Sequence, residues 1–132
     1  MKPFLTLIVA IICVTYTFAN VQVSSPDQQL VLTTSVDDQS RIWYSVSFQG
    51  QEVIKPSHLG LEFSTPQQNC YSGFSIEETA TSSYDEIWAP VWGEESSIHN
   101  HYNELLVTYR QSPNTRFIRI RFRVFDEGVA FR

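Results

Sequence analysis

The alternation of apolar and polar residues predicts β-strands along most of the chain. It is clearest over residues 41–48, where every second residue is apolar and the serines fall between them. The apolar positions of this run are Ile42, Tyr44, Val46 and Phe48. Leu30–Val36 is predicted to be the preceding strand, joined to the first through a polar hairpin loop at residues 37–40. This pattern is typical of a sheet with one face buried.

The middle of the chain is less regular. Gln49 and Gly50 predict a tight turn into a strand over residues 51–54. We expect Pro56 to end that strand, because proline donates no ladder hydrogen bond. Residues 59–63 then resume extended structure. Residues 64–86, rich in Ser, Thr, Gln, Glu and Gly, are predicted to form a long irregular connection, which in compact domains is often functional or interfacial.

The last third of the chain again alternates. Residues 105–110 and 117–125 predict a hairpin that turns around residues 112–114. A second turn at residues 126–128 leads into a short strand that begins at Val129. No convincing amphipathic helix is present in the sequence. The fold class predicted is therefore all-β, an antiparallel β-sandwich.

The first 19 residues follow the pattern of a signal peptide. Lys2 precedes an apolar segment over residues 4–14 that only Thr6 interrupts, and Ala19 supplies a small residue at the cleavage position. The apolar segment is shorter than the roughly 20 residues that span a bilayer, so no stable membrane anchor is predicted. A retained anchor is the alternative. We predict residues 1–19 to be removed and residues 20–132 to form one exported domain.

Charge and cysteine content narrow the class of protein. Without residues 1–19 the chain carries eight basic and 14 acidic side chains, a formal net charge of −6. This excludes a nucleic-acid surface, which needs clustered Lys and Arg to neutralise phosphates. Cys70 is then the sole cysteine, so no internal disulfide forms. An exported protein without disulfides fits a bacterial envelope better than a small animal secreted scaffold.

Residues 90–105 concentrate aromatic rings, short amides and carboxylates. Planar rings beside such polar groups suit contact with a sugar or with another domain. The candidates for a carbohydrate site or domain interface are Trp92, Glu94, Asn100, His101, Tyr102, Asn103 and Glu104. For Trp43, Trp88 and Trp92, a place in the core or an interface is favoured over sugar stacking.

For the carboxylates and histidines of this region, catalytic or metal-binding roles are compared with solvated or structural roles. A glycosidase needs two carboxylates roughly 5–9.5 Å apart across the scissile bond. The carboxylates that supply candidates by number alone are Asp85, Glu86, Glu94, Glu95 and Glu104. His99 and His101 lie two positions apart and so share one face of a strand, a geometry that suits a metal. Because the sequence marks no third ligand, structural or interface histidines are favoured and no metal site is predicted.

A basic stripe is predicted on the strand over residues 117–125. Arg119, Arg121 and Arg123 alternate with core-facing apolar residues. Like charges in a row repel unless something opposes them. A solvated face is favoured, and carboxylates from a neighbouring strand or another domain are the alternative.

Six short motifs occur in an order that resembles the start of glycoside hydrolase family 97, the α-glucosidase and α-galactosidase family of Gram-negative bacteria. They are VSSPD at 23–27, YSVS at 44–47, LGL at 59–61, PVWGE at 90–94, NHYNEL at 100–105 and FRVFDEGVAFR at 122–132. The resemblance implies a large N-terminal β-sandwich, a catalytic (β/α)8 barrel and a small C-terminal β-domain. It also implies catalytic carboxylates in the barrel and a calcium ion in the inverting members.

On this resemblance, residues 20–132 are expected to be an incomplete N-terminal sandwich without the catalytic barrel. No catalytic or metal residue is therefore assigned to the chain, which alone is expected to be inactive. The expected role is to brace the barrel and contribute to the rim of the substrate site, with α-glycosides and the barrel as partners. Calcium is implied for the complete enzyme only. The expected location is the periplasm or envelope of a Gram-negative bacterium. An independent exported carbohydrate-binding module is the alternative, and the sugar and the stereochemistry stay open.

Overall fold

Two four-stranded antiparallel sheets make up the computed structural model, which describes residues 19–66 and 69–132. The first sheet has the strand order β1-β2-β3-β4 and the second β5-β6-β7-β8. The strands are β1 (Val21–Ser24), β2 (Leu30–Val36), β3 (Ile42–Phe48), β4 (Gln51–Leu59), β5 (Phe74–Trp88), β6 (Ile98–Gln111), β7 (Arg116–Val124) and β8 (Val129–Phe131). The predicted all-β sandwich is confirmed.

The core lies between the sheets and is built from alternate residues of the central strands. Leu32 and Ile42 from the first sheet are fully buried, as are Leu105 and Phe122 from the second. Strands β3 and β7 therefore bury most of the apolar faces that their alternation predicts, and the predicted strand over Leu30–Val36 is confirmed as β2. Burying such side chains supplies most of the stabilisation of a domain of this size.

One polar contact joins the sheets inside this core. The Thr34 hydroxyl lies 2.8 Å from the carbonyl oxygen of Trp43 and 2.8 Å from the Tyr109 hydroxyl. Because Thr34 has a single hydroxyl proton, which it donates to Trp43, the Tyr109 hydroxyl donates to Thr34. Burial raises the pKa of Tyr109 to about 12. The neutral phenol is thus part of the packed interior.

Two predictions in the middle of the chain are wrong. Strand β4 does not end at Pro56 but continues to Leu59. It is an edge strand, and its register against β3 shifts so that Lys55 and Pro56 together lie opposite the single residue Ser45. A bulge on an edge strand accepts proline because its missing N–H would not have joined the ladder.

The long irregular connection predicted over residues 64–86 is the second error. Most of it belongs to the 15-residue strand β5, which pairs with β6 from Phe74 to Trp88. Beyond Ile76 both faces of β5 are exposed, so its polar residues show no alternation of hydrophobicity. Of the predicted extended stretch at 59–63, Leu61 forms an isolated bridge to Cys70.

The predicted signal peptide lies outside the described residues, except for Ala19. Within residues 19–66 and 69–132, no helix has the length and apolar character needed to cross a membrane.

Candidate functional site

The β5–β6 pair continues past the end of the rest of its sheet. Strand β7 pairs with β6 only as far as Asn103, whereas β5 stays paired with β6 as far as Ile98. Residues 84–88 and 98–102 therefore form a two-stranded extension, called here the ribbon, and residues 89–97 connect its strands. Because successive residues of a strand point to opposite faces, the ribbon carries two unlike sets of side chains.

Tyr102 organises one face of the ribbon. It is buried although it lies on the face opposite the core residue Leu105. Its ring stacks on Tyr84 with centroids 4.9 Å apart and contacts Phe125 at 5.0 Å. The Arg123 guanidinium lies 4.7 Å from the centre of the same ring. Aromatic pairs and a cation over a ring add to the stabilisation from burial, so this cluster holds the ribbon against β7.

Glu104 continues this face toward the centre of the sheet. Its carboxylate accepts a hydrogen bond from Arg123 Nε at 2.8 Å and lies 3.1 Å from Arg121 Nη1. The hydrogen bond to Glu104 raises the pKa of Arg123 above its usual value. A neighbouring strand thus supplies the carboxylate for two members of the basic stripe, while Arg119 stays exposed. Both oxygens of Glu104 are engaged, which suits a positioning role better than proton transfer.

Asp85, His99 and His101 form the opposite face. The Asp85 carboxylate lies 2.6 Å from His99 Nε2 and 4.0 Å from His101 Nε2. The two imidazoles are stacked, with centroids 5.3 Å apart and planes 11° from parallel. The hydrogen bond with His99 lowers the pKa of Asp85, and the charge of His101 acts in the same direction. All three side chains are substantially open to solvent.

The remaining candidates divide between the base and the tip of the ribbon. Asn103 donates from Nδ2 to the Ser24 carbonyl at 2.8 Å and accepts from Ser83 Oγ at 2.7 Å, which ties the ribbon to β1. Asn100 is half-buried on the ribbon. Trp92 and Glu94 lie in the connecting segment, where Trp92 is 90% exposed.

The structure therefore divides the candidates on β6 between its two faces, with His101 and Asn103 on one and Asn100, Tyr102 and Glu104 on the other. Trp92 and Glu94 lie beyond them in the connecting segment. The sequence did not predict the partners of Tyr102 from elsewhere in the chain, namely Tyr84 on β5, Arg123 on β7 and Phe125, which directly follows β7. Asp85 was weighed only as a carboxylate. Predicting these contacts requires the register of β5 and β7 against β6. That register was not available from the sequence, because most of β5 was predicted to be an irregular connection.

Residues 23–132 match the family described as Glycosyl-hydrolase 97 N-terminal, and the chain belongs to this family. The predicted resemblance is thereby confirmed.

Individual relatives agree with this assignment. Over 136 aligned residues, the chain is 26% identical to a retaining alpha-galactosidase of Bacteroides thetaiotaomicron, covering 100% of this chain and 19% of that protein. A glycoside hydrolase family 97 enzyme from a Pseudoalteromonas species, solved in complex with panose, superposes with a TM-score of 0.77 at 33% identity. That match covers 84% of this chain and 17% of the enzyme.

A beta-arabinopyranosidase structure gives a TM-score of 0.74 at 26% identity, again over 84% of this chain and 17% of that one. The chain thus spans about a fifth of the length of the curated relative that it matches.

Proposed function

We propose that this chain is the non-catalytic N-terminal domain of an exported glycoside hydrolase of the α-glucosidase or α-galactosidase class. In the complete enzyme the domain braces a catalytic barrel, and the ribbon with its connecting segment contributes to the rim of the substrate site. Family membership supports the domain assignment. The names of the relatives, which include an alpha-galactosidase and a panose complex, support a glycoside as the substrate.

The observation that carries the rim role is the apolar tip of the ribbon. Val91 and Trp92 are 98% and 90% exposed, and Ile87 and Trp88 beside them are also exposed. Large apolar side chains gathered at one projecting end mark a surface that another domain or a ligand covers. Tryptophan rings also present a flat apolar face that suits the apolar face of a sugar.

Calcium does not fit the described part of this chain. Among residues 19–66 and 69–132, the group of three side chains able to share a metal contains two histidines and one carboxylate. Calcium prefers six to eight oxygen ligands, and the carboxylate of Glu104 is already engaged by two arginines. We therefore assign this chain no step that uses the ion.

Export to the periplasm or cell envelope remains part of the proposal. It is supported by the signal-peptide pattern over residues 1–19 and by the single cysteine of the predicted mature chain, Cys70. Fractionation of the producing cells, followed by N-terminal sequencing of the mature protein, tests both the compartment and the cleavage after Ala19.

The test of the rim role is a Trp92→Ala variant in the complete enzyme. Loss of one stacking contact with substrate lowers kcat/KM by about 10–200-fold, which corresponds to about 1–3 kcal/mol. Phe117→Ala is the matched control, because Phe117 is also an exposed aromatic residue but pairs with Arg110 at the far end of β6. Unchanged kinetics for Trp92→Ala, at an unchanged Tm, would contradict the rim role.

The exposed Trp92 also favours the second candidate, an independent exported carbohydrate-binding module. The two candidates differ in what the purified chain does alone. As a domain that only completes a rim, it should hydrolyse no aryl α-glucoside or α-galactoside and should bind malto- and galacto-oligosaccharides too weakly to measure. Saturable binding that Trp92→Ala abolishes would support the module instead.

A further inference from the structure

The Asp85, His99 and His101 cluster arises from strand geometry. The two histidines lie two positions apart on β6, so their rings leave the same face of the ribbon. Asp85 on β5 is the registered partner of His101 and therefore points to that face too. One ligand atom from each residue falls in a group whose members lie within 4.8 Å of one another.

The spacing of these atoms is close to that of a tetrahedral metal site. Ligands about 2.0–2.1 Å from Zn²⁺ are separated from each other by about 3.4 Å in a tetrahedron. The separations of 2.6 Å and 4.0 Å between the Asp85 carboxylate and the two imidazole nitrogens lie on either side of that value. Bringing both separations to about 3.4 Å requires shifts of less than about 1 Å, which small rotations of exposed side chains can supply.

A second histidine–aspartate pair shows what distinguishes this cluster. His58 Nε2 lies 2.9 Å from the Asp37 carboxylate, but Arg41 Nη2 contacts the same oxygen at 2.8 Å. A guanidinium thus already neutralises Asp37. The polar partners described for Asp85 are the two imidazoles alone, so its charge is available to a cation.

We propose that Asp85, His99 and His101 bind one divalent transition-metal ion, with Zn²⁺ as the best match. Two imidazoles and one carboxylate are ligands that zinc uses, and the open side of the ribbon leaves its remaining position to water or to a ligand group. The site is separate from Tyr102 and Glu104, which lie on the opposite face. The inference does not depend on the proposed glycosidase role.

The test is isothermal titration of the purified, tag-free chain with ZnCl₂ after treatment with a chelator. We expect one Zn²⁺ per chain, and His99→Gln and Asp85→Asn should each weaken binding by at least about tenfold, since each removes a ligand. His58→Gln is the matched control and should bind as the unmodified chain does. Co²⁺ provides a second readout, because the intensity of its visible d–d bands reports tetrahedral coordination.

Circular dichroism establishes that the variants are folded, so that weak binding is not a consequence of unfolding. Absence of saturable binding of Zn²⁺, Co²⁺, Cu²⁺ and Ni²⁺ to the unmodified chain would overturn the proposal. So would equal affinities for His99→Gln and the unmodified chain, or an equal loss in His58→Gln. Tight Cu²⁺ or Ni²⁺ binding lost in the same two cluster variants would support the site, because imidazole ligands suit those ions too.

Discussion

Replacing Glu104 by Gln tests whether one carboxylate stabilises the outer face of the second sheet. The side chain is 6% exposed and contacts Arg121 and Arg123 at 3.1 and 2.8 Å. Glutamine has nearly the same size and shape, so the substitution removes the negative charge and keeps the packing. The two arginines, two positions apart on β7, then repel each other without an opposing group.

The size of the effect follows from these exposures. A hydrogen bond to a charged group contributes about 1.5–3 kcal/mol when it is protected from solvent, and Glu104 accepts one such bond from Arg123 and forms an ion pair with Arg121. The arginine side chains are 33% and 32% exposed, and solvent screening reduces fully exposed pairs to about 1 kcal/mol or less. Glutamine also retains one acceptor. We therefore expect Glu104→Gln to lower the free energy of unfolding by about 2 kcal/mol.

Urea unfolding of the purified chain at pH 7 measures this change. The matched control is Glu77→Gln, because Glu77 lies 3.9 Å from Arg110 and both side chains are nearly half exposed. That substitution should alter the free energy of unfolding by less than about 0.5 kcal/mol. Equal losses for the two variants, or a loss below about 0.5 kcal/mol for Glu104→Gln, would refute the reasoning.

Two further predictions concern pH. The folded pKa of Tyr109, about 12, lies above the ordinary value of 10, so the unfolded chain ionises first and stability falls as pH rises from 10 to 12. Comparing Tyr109→Phe with the unmodified chain over this range should show a smaller loss in the variant, by about 2–3 kcal/mol; parallel curves would contradict this. For Asp37, partial burial opposes ionisation, but hydrogen bonds from Arg41 and His58 outweigh it and lower the pKa to about 2. The ionised Asp37 carboxylate therefore stabilises the fold above pH 3.8, and this stabilisation is lost as pH falls through 2. When the free energy of unfolding is measured over this pH range, Asp37→Asn should lose about 2 kcal/mol less than the unmodified chain.

The strands that the sequence predicts correctly are those with one buried face. In β3 and β7 apolar residues recur at every second position, and most of those positions face the opposite sheet. Strand β5 has no such constraint beyond Ile76, so only its pairing with β6 makes it a strand. The predicted strand end at Pro56 was wrong because Pro56 lies at a bulge on an edge strand. There, proline does not carry the energetic penalty that it imposes in a central strand.

For the candidate site, too, the sequence predicts which residues share a face of one strand but not which residues of other strands contact them. Alternation places His99 and His101 on one face of a strand, and the structure confirms that arrangement. The third ligand was not predictable, because the position of Asp85 depends on the register between β5 and β6. Tyr102 and Glu104 were selected for their chemistry, yet their burial depends on Arg123 from β7. The alternation of residues along a strand thus predicts the faces of that strand, whereas contacts between strands can be identified only from the folded structure.

The length of β5 has a consequence for how the domain avoids aggregation. The strand is 15 residues long, roughly 50 Å when extended, and no described strand pairs with it on its outer side. Such an edge offers a row of amide and carbonyl groups on which the strand of another molecule could assemble. Its register shift between Ile76 and Glu78 bends the strand there, and its four carboxylates would place like charges opposite each other in many pairings of two identical edges. The polar residues of β5, which prevent its prediction as a strand from alternation, therefore also disfavour fibril formation.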